Sequence, residues 1–184
     1  QTEKLFKVCA MRKIPVITFV NKVDRPGRQP LEILEEIEEK FRIDVSPRNW
    51  PIGFGQDFRG LIDMQSQQAS LFDIRDGSQR TQARQVELDQ LAGEDIPPAA
   101  LEQSLEEVEL LAEAGDAFDR ERFLAGELSP VFFGSALTNW GVELFLRGFL
   151  ELSPKPVGRP SNVGPVPPER PNFAGYVFKI QANL

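Results

Sequence analysis

Residues 14–24 read Ile14-Pro15-Val16-Ile17-Thr18-Phe19-Val20-Asn21-Lys22-Val23-Asp24 and join an apolar run of strand length to a polar loop. A continuous apolar run is typical of a parallel strand that is covered on both faces. Pro15 stands near its start, where a missing backbone donor is tolerated. This stretch predicts a buried strand with a polar loop at its carboxyl end.

A second stretch has the same organisation. Ser129–Gly134 is another apolar run, and Ser135-Ala136-Leu137 follows it as a loop. Each loop precedes a helical pattern, the first opened by Pro30 and the second running over Gly141–Leu152. Ligands of open α/β sheets bind outside the carboxyl ends of the strands. We therefore expect an α/β fold with a parallel sheet and both loops at one edge of it.

Composition excludes several classes of protein. The 184 residues carry a formal net charge of -7, which disfavours non-specific binding to DNA. A single cysteine, Cys9, and the absence of histidine argue against a disulfide framework and against a structural zinc site. No apolar run is long enough to span a membrane. We expect a cytoplasmic protein with no DNA or membrane partner and no metal ligands in this chain.

About 110 positions separate the two loops, which is far more than one helix and one strand require. Short, turn-bounded apolar runs within residues 50–75 predict small strands, and residues 76–98 are polar and predict irregular structure. Helices are predicted from Pro98 onward, with Leu101, Leu105, Val108 and Leu111 at helical spacing, and over Asp116–Leu124, ending at Gly126. An inserted α+β subdomain over about residues 46–128 is therefore expected.

The last part of the chain changes character. Seven prolines fall within the 19 residues from Ser153 to Pro171, which indicates an extended linker over 154–172. Phe173–Leu184 alternates like a strand. The chain starts at Gln1 and stops inside that apolar run, so we expect both ends to be cut from a longer protein.

The first loop has the chemistry to read a guanine base. Asn-Lys-x-Asp is the base-recognition signature of GTPases, and here it is Asn21-Lys22-Val23-Asp24. A carboxylate at Asp24 can accept from the guanine ring N–H and from the exocyclic amine, and adenine offers neither donor there. The aliphatic stem of Lys22 can cover the base. Asn21 can brace the loop.

Ser135-Ala136-Leu137 resembles the companion motif of these proteins. There the backbone N–H of Ala136 donates to the guanine carbonyl oxygen, and Ser135 braces the aspartate loop. Alone, Asn-Lys-x-Asp before Pro26-Gly27 also fits a plain polar turn, and a Ser-Ala-Leu triplet carries no information. Both motifs in order, each after a buried strand, favour the nucleotide site.

The sequence does not contain the phosphate-loop motif G-x-x-x-x-G-K-[ST]. Asp-x-x-G occurs at Asp24–Gly27 and Asp57–Gly60, and we interpret both as chance matches. No catalytic residue is therefore expected in this chain. We expect GTPase activity in the complete protein and none from these residues alone.

Several segments resemble the bacterial release-factor branch of the translational GTPases, which is related to elongation factor G. They are Asn49–Gly53, Phe118–Leu128, Pro130–Leu137 and Val177–Asn183. The resemblance implies that residues 1–153 are the C-terminal part of a P-loop GTPase domain, and that 173–184 begin a β-barrel domain. It also implies GTP or GDP as ligand, with magnesium held outside this chain.

The implied role is translation termination, in which the complete protein promotes release of the codon-reading release factors from the ribosome. Leu137 stands where translational GTPases carry leucine and many other GTPases carry lysine. An elongation factor G-like translocase or a ribosome-protection GTPase shares both loops and stays open as an alternative. A truncated, non-enzymatic piece without nucleotide affinity is another.

Overall fold

The computed structural model describes residues 2–181 except 73–82, 115–117, 159, 163, 176 and 178. The chain divides into two compact units, Gln1–Leu152 and Ser153–Leu184. Within the described ranges, no helix combines the length and the apolar character that crossing a membrane requires.

The described part of the first unit alternates helices and strands. Its α-helices are α1 (Thr2–Met11), α2 (Pro30–Phe41), α3 (Pro98–Glu113), α4 (Arg120–Ala125) and α5 (Val142–Leu152). Its strands are β1 (Thr18–Asn21), β2 (Asp44–Pro47), β3 (Asn49–Ile52), β4 (Gly60–Asp63), β5 (Gln68–Leu71), β6 (Arg84–Glu87) and β7 (Leu128–Gly134). Short 3-10 turns cover Gly55–Asp57 and Leu88–Gly93.

The first sheet is parallel, with strand order β1-β7-β2, so the predicted α/β architecture is confirmed. Every residue of the central strand β7 is buried. β1 is covered on both faces, as predicted, but it is only half-buried. The reason is its position at the edge of the described sheet, where it pairs with β7 on one side.

Alternate residues of β1 and β7 face opposite sides of this sheet. Phe19 and Phe132 pack against Phe145 of α5, with ring centroids 5.1 and 5.7 Å from that ring. Phe133 instead belongs to the main hydrophobic core, which extends into the insertion, and Val20 packs against that core. The parallel sheet is therefore packed on both faces beneath the loops that follow β1 and β7.

The insertion is an antiparallel sheet of order β3-β4-β5-β6, covered by α3. Its core contains the fully buried side chains of Trp50, Ile52, Leu61 and Ile62. Trp50 packs edge-on against Phe133 of β7, with ring centroids 5.3 Å apart. The inserted sheet thus shares one continuous core with the parallel sheet.

Two segments depart from the pattern-based expectations within the first unit. Residues 83–98, predicted as irregular, contain β6, in which Val86 alone is buried; pairing with β5 makes this polar segment a strand. The predicted helix Asp116–Leu124 begins later, at Arg120, because the Asp119 carboxylate caps it by accepting from the amides of Glu121 and Arg122. Residues 116 and 117 lie outside the described part.

The second unit contains no strand in its described residues. The strand predicted over Phe173–Leu184 is therefore absent from the described positions of that segment. A strand needs a neighbour to satisfy its backbone groups and cover its apolar side chains. Phe173 is 99% exposed and Ile180 is 90% exposed, so neither side chain is covered.

Candidate functional site

Both candidate loops leave the same edge of the parallel sheet. β1 and β7 run parallel as direct neighbours, and Asn21 at the end of β1 is in register with Gly134 at the end of β7. The predicted juxtaposition of Asn21–Asp24 with Ser135–Leu137 is confirmed. These two segments are called the base loops below.

The side chain of Asn21 links the two base loops. Its Oδ1 accepts from the backbone N–H of Lys22 at 2.9 Å and from the backbone N–H of Ala136 at 2.9 Å. A backbone bond adds to this contact, since the N–H of Val23 donates to the carbonyl of Gly134 at 3.2 Å. The Asn21 side-chain oxygen therefore accepts one backbone N–H from each base loop.

Val23 anchors the first base loop in the core. Its side chain is fully buried and belongs to the main hydrophobic cluster. Its carbonyl accepts from the N–H of Gly55, in the insertion, at 2.8 Å. On either side of this anchor, Lys22 is exposed and Asp24 is partly buried.

Lys22 has a left-handed backbone, with φ of 71°. This conformation is uncommon for a residue other than glycine and costs about 1–2 kcal/mol. The surrounding hydrogen bonds hold it, because the Lys22 carbonyl also accepts from the N–H of Arg25 at 3.0 Å. Residues in such conformations cluster at ligand sites, where the surrounding structure supports the strain.

Asp24 has an unsatisfied acceptor. Its side chain is partly buried, and Oδ1 is shielded from solvent without a hydrogen-bond partner among the described residues. Buried carboxylate oxygens are normally hydrogen-bonded, since leaving one unpaired costs about 1–3 kcal/mol or more. A ligand that brings N–H donors to this carboxylate would supply the missing partner.

The second base loop is compact. The N–H of Ser135 donates to the carbonyl of Trp140 at 2.8 Å, and the Thr138 hydroxyl donates to the Ser135 carbonyl at 3.4 Å. Ser135 is buried, whereas Ala136 is exposed and Leu137 is 70% exposed. The hydrogen bonds close a tight turn in which Ala136 and Leu137 are exposed to solvent.

The hydrogen bonds differ from those implied by the family resemblance in two respects. Ser135 was expected to brace the aspartate loop. No hydrogen bond from the Ser135 hydroxyl to Asn21–Asp24 is found among the described residues, whereas Asn21, which was also expected to brace its loop, accepts from the amides of Lys22 and Ala136. The N–H of Ala136, expected to be available for a guanine oxygen, donates to Asn21. Both differences follow from the register, which puts Asn21 beside the start of the second loop.

Among the described residues, no group of three or more His, Cys, Asp or Glu side chains is arranged to hold a metal ion.

Two residues that contact the base loops lie outside any recognisable motif, and the sequence did not predict their contacts. Gly55 holds the Val23 carbonyl, and Trp140 holds the Ser135 amide through its own carbonyl. Both are backbone hydrogen bonds, so the identity of the side chain gives little sign of them. Gly53 and Gly55 have left-handed backbones in the turn after β3, but the contact of this turn with the first base loop depends on the tertiary fold.

A sheet-edge site of this kind, with Asn-Lys-x-Asp at its rim, is typical of GTP-binding domains. The family described as "Elongation factor Tu GTP binding domain" matches residues 1–155, and the chain belongs to that family.

Its curated relatives bear a more specific name. The chain is 50% identical over 188 residues to "Peptide chain release factor 3" of Synechococcus elongatus, covering 100% of this chain and 34% of that protein. It is 48% identical to the protein of the same name from Listeria welshimeri, covering 100% and 35%. The predicted resemblance to the release-factor branch is confirmed. The chain spans about a third of the length of these relatives.

Proposed function

We propose that the base loops bind the guanine base of GTP or GDP. In this proposal the Asp24 carboxylate accepts from the ring N–H and the exocyclic amine of guanine. The aliphatic stem of Lys22 covers one face of the base. Val23, buried between Lys22 and Asp24, anchors the loop that carries both side chains. Leu137 flanks the base from the second loop.

The observation that carries this proposal is the unpartnered Oδ1 of Asp24. Guanine brings two N–H donors on one edge, and a carboxylate offers two acceptors that match them. Adenine brings neither donor to those positions, so it leaves the carboxylate unsatisfied. Discrimination of this kind reaches about 10⁴-fold when a buried polar group loses its partner.

In this proposal the backbone N–H of Ala136 gains the guanine carbonyl oxygen as an acceptor. The N–H of Ala136 donates to Asn21 Oδ1, and Ala136 is exposed. Guanine binding would let this N–H donate to the guanine carbonyl oxygen, either shared with Asn21 or released from it. Ser135 closes the turn that carries this N–H, because its own N–H donates to the Trp140 carbonyl.

The longer relatives support a proposal for the whole protein. We infer a translational GTPase that acts on the ribosome at termination and promotes release of the codon-reading release factors, using GTP with magnesium. Residues 1–153 would form the part of its GTPase domain that reads the base, with the insertion at about 46–128. Residues 154–172 would be a linker, and 173–184 would begin a β-barrel domain.

Replacement of Asp24 by asparagine tests the base assignment in the full-length protein carrying this sequence. Asparagine keeps one acceptor and adds a donor, which suits the second carbonyl of xanthine instead of the amine of guanine. We expect GDP affinity to fall by about 10- to 100-fold, as the loss of hydrogen bonds to a charged group predicts. Xanthosine diphosphate should bind better to D24N than to the parent protein. An unchanged preference for GDP, measured by competition, contradicts the proposal.

A further inference from the structure

The connection between β3 and β4, residues 53–59, lies against the first base loop; it is called the brace below. The N–H of Gly55 in the brace donates to the Val23 carbonyl at 2.8 Å. Gly55 has φ of +65°, and a Cβ built there would lie 3.4 Å from the Pro26 backbone. The brace and the loop therefore touch backbone to backbone on either side of Asp24.

The second base loop is linked to the same brace through Trp140. Phe58 stacks on Trp140, with ring centroids 5.6 Å apart and an interplanar angle of 29°. Phe72, which follows β5, stacks on the same indole at 5.5 Å. Because the Trp140 carbonyl accepts from Ser135 N–H at 2.8 Å, the second loop is joined to the brace through one residue.

The brace is itself held from the side of α3. The N–H of Gly53 donates to the Ser104 hydroxyl oxygen at 3.1 Å, and that hydroxyl donates to the Ala100 carbonyl at 2.7 Å. Ser104 is buried. Through these two bonds Ser104 ties the start of the brace to α3.

We propose that Gly55 and Phe58 are positioning residues that set the separation of the two base loops, so that the inserted sheet determines guanine affinity. This inference rests on the proposed function. Neither residue contacts the nucleotide in it: Gly55 acts through Val23, and Phe58 acts through Trp140. A partner that binds the insertion and shifts the brace would change guanine affinity, and bound nucleotide would change the affinity for that partner by the same factor.

Two variants of the full-length protein carrying this sequence test the inference, each disturbing one contact. Phe58→Leu removes the ring stacked on Trp140 but keeps an apolar side chain. Gly55→Ala keeps the N–H but strains the backbone at φ of +65°. We expect each variant to lower GDP affinity by about tenfold, within the range of coupling between sites. Affinity for pyrophosphate, which has no base, should stay unchanged in both.

Val86→Ala is the matched control. Val86 is buried in the same core but lies on β6, at the far side of the inserted sheet from β3. It should lower stability without changing GDP affinity. An equal fall in GDP affinity for V86A, or a parallel fall in pyrophosphate affinity for F58L and G55A, would show general destabilisation and overturn the inference. Unchanged GDP affinity in both brace variants would also overturn it.

The D24N competition separates the two proposals. If D24N loses its preference for GDP while the brace variants bind GDP normally, the brace inference is wrong and the base assignment stands. If D24N keeps the preference of the parent protein, the base assignment is wrong, and the brace inference falls with it.

Discussion

The side-chain oxygen of Asn21 lies 2.9 Å from the backbone nitrogen of Ala136, although 115 positions separate these residues in the sequence. The same oxygen accepts from the Lys22 amide. Asn21 thus fixes the two base loops to each other before any ligand arrives. A site arranged in advance loses less conformational freedom on binding.

Asn21→Ala should therefore weaken nucleotide binding without contacting the base. Each of the two hydrogen bonds is worth about 0.5–1.5 kcal/mol, so their loss predicts about a tenfold fall in GDP affinity in the full-length protein. Asn21→Asp retains an acceptor oxygen and serves as the control, with a smaller loss. Titration calorimetry measures both variants. Equal affinity of N21A and the parent protein would show that this link does not organise the site.

The left-handed backbone of Lys22 gives a prediction about stability. Lys22→Gly should be as stable as the parent chain or more stable, because glycine adopts this φ without a steric penalty. Lys22→Val should be less stable by about 1–2 kcal/mol, since a β-branched residue is poorly accommodated there. Denaturant unfolding of the two variants decides this. A less stable glycine variant would argue against strain at this position.

Lys22→Gly also gives a prediction for the ligand. With the backbone conformation retained, the variant lacks the aliphatic stem that we place over the base. GDP affinity should fall while the preference for GDP over xanthosine diphosphate persists, since Asp24 sets that preference. A reversed preference in K22G would show that the loop geometry had changed together with the side chain.

The chain of 184 residues, tested by itself, should not hydrolyse GTP and should bind GDP with a dissociation constant of about 1 mM or weaker, equivalent to about −4 kcal/mol. Its sequence has no G-x-x-x-x-G-K-[ST] motif, and such motifs supply most contacts to the phosphates. Calorimetry with GDP and magnesium tests this expectation. Micromolar affinity would show that the phosphates find another site in these residues.

Sequence pattern predicted the elements that carry long apolar runs or helical spacing. β7 and the helices α2, α3 and α5 were predicted from such patterns and are present. β2 and β6 were not predicted, because each mixes polar with apolar side chains. They are strands because they pair with β7 and β5. Pairing between distant segments does not require an alternating pattern of apolar residues in the sequence.

The candidate site was predictable to the level of its two loops. Asn21–Asp24 and Ser135–Leu137 follow predicted parallel strands, and neighbouring parallel strands end at the same edge of a sheet. The bond from Ala136 to Asn21 was not predictable, since it depends on which residues end up in register. The hydrogen bond from the Gly55 amide to the Val23 carbonyl was not predictable either, because it also depends on the tertiary fold.

The position of β7 has a consequence for biosynthesis. Both outer strands of the parallel sheet, β1 and β2, pair with β7 in the described structure, yet β7 is made last. While the ribosome is adding residues 48–127, both earlier strands lack this partner, and their open edges invite wrong pairing. We expect the two base loops to come together abruptly during translation, once β7 and the Ser135–Leu137 loop have left the exit tunnel and β7 has inserted between β1 and β2.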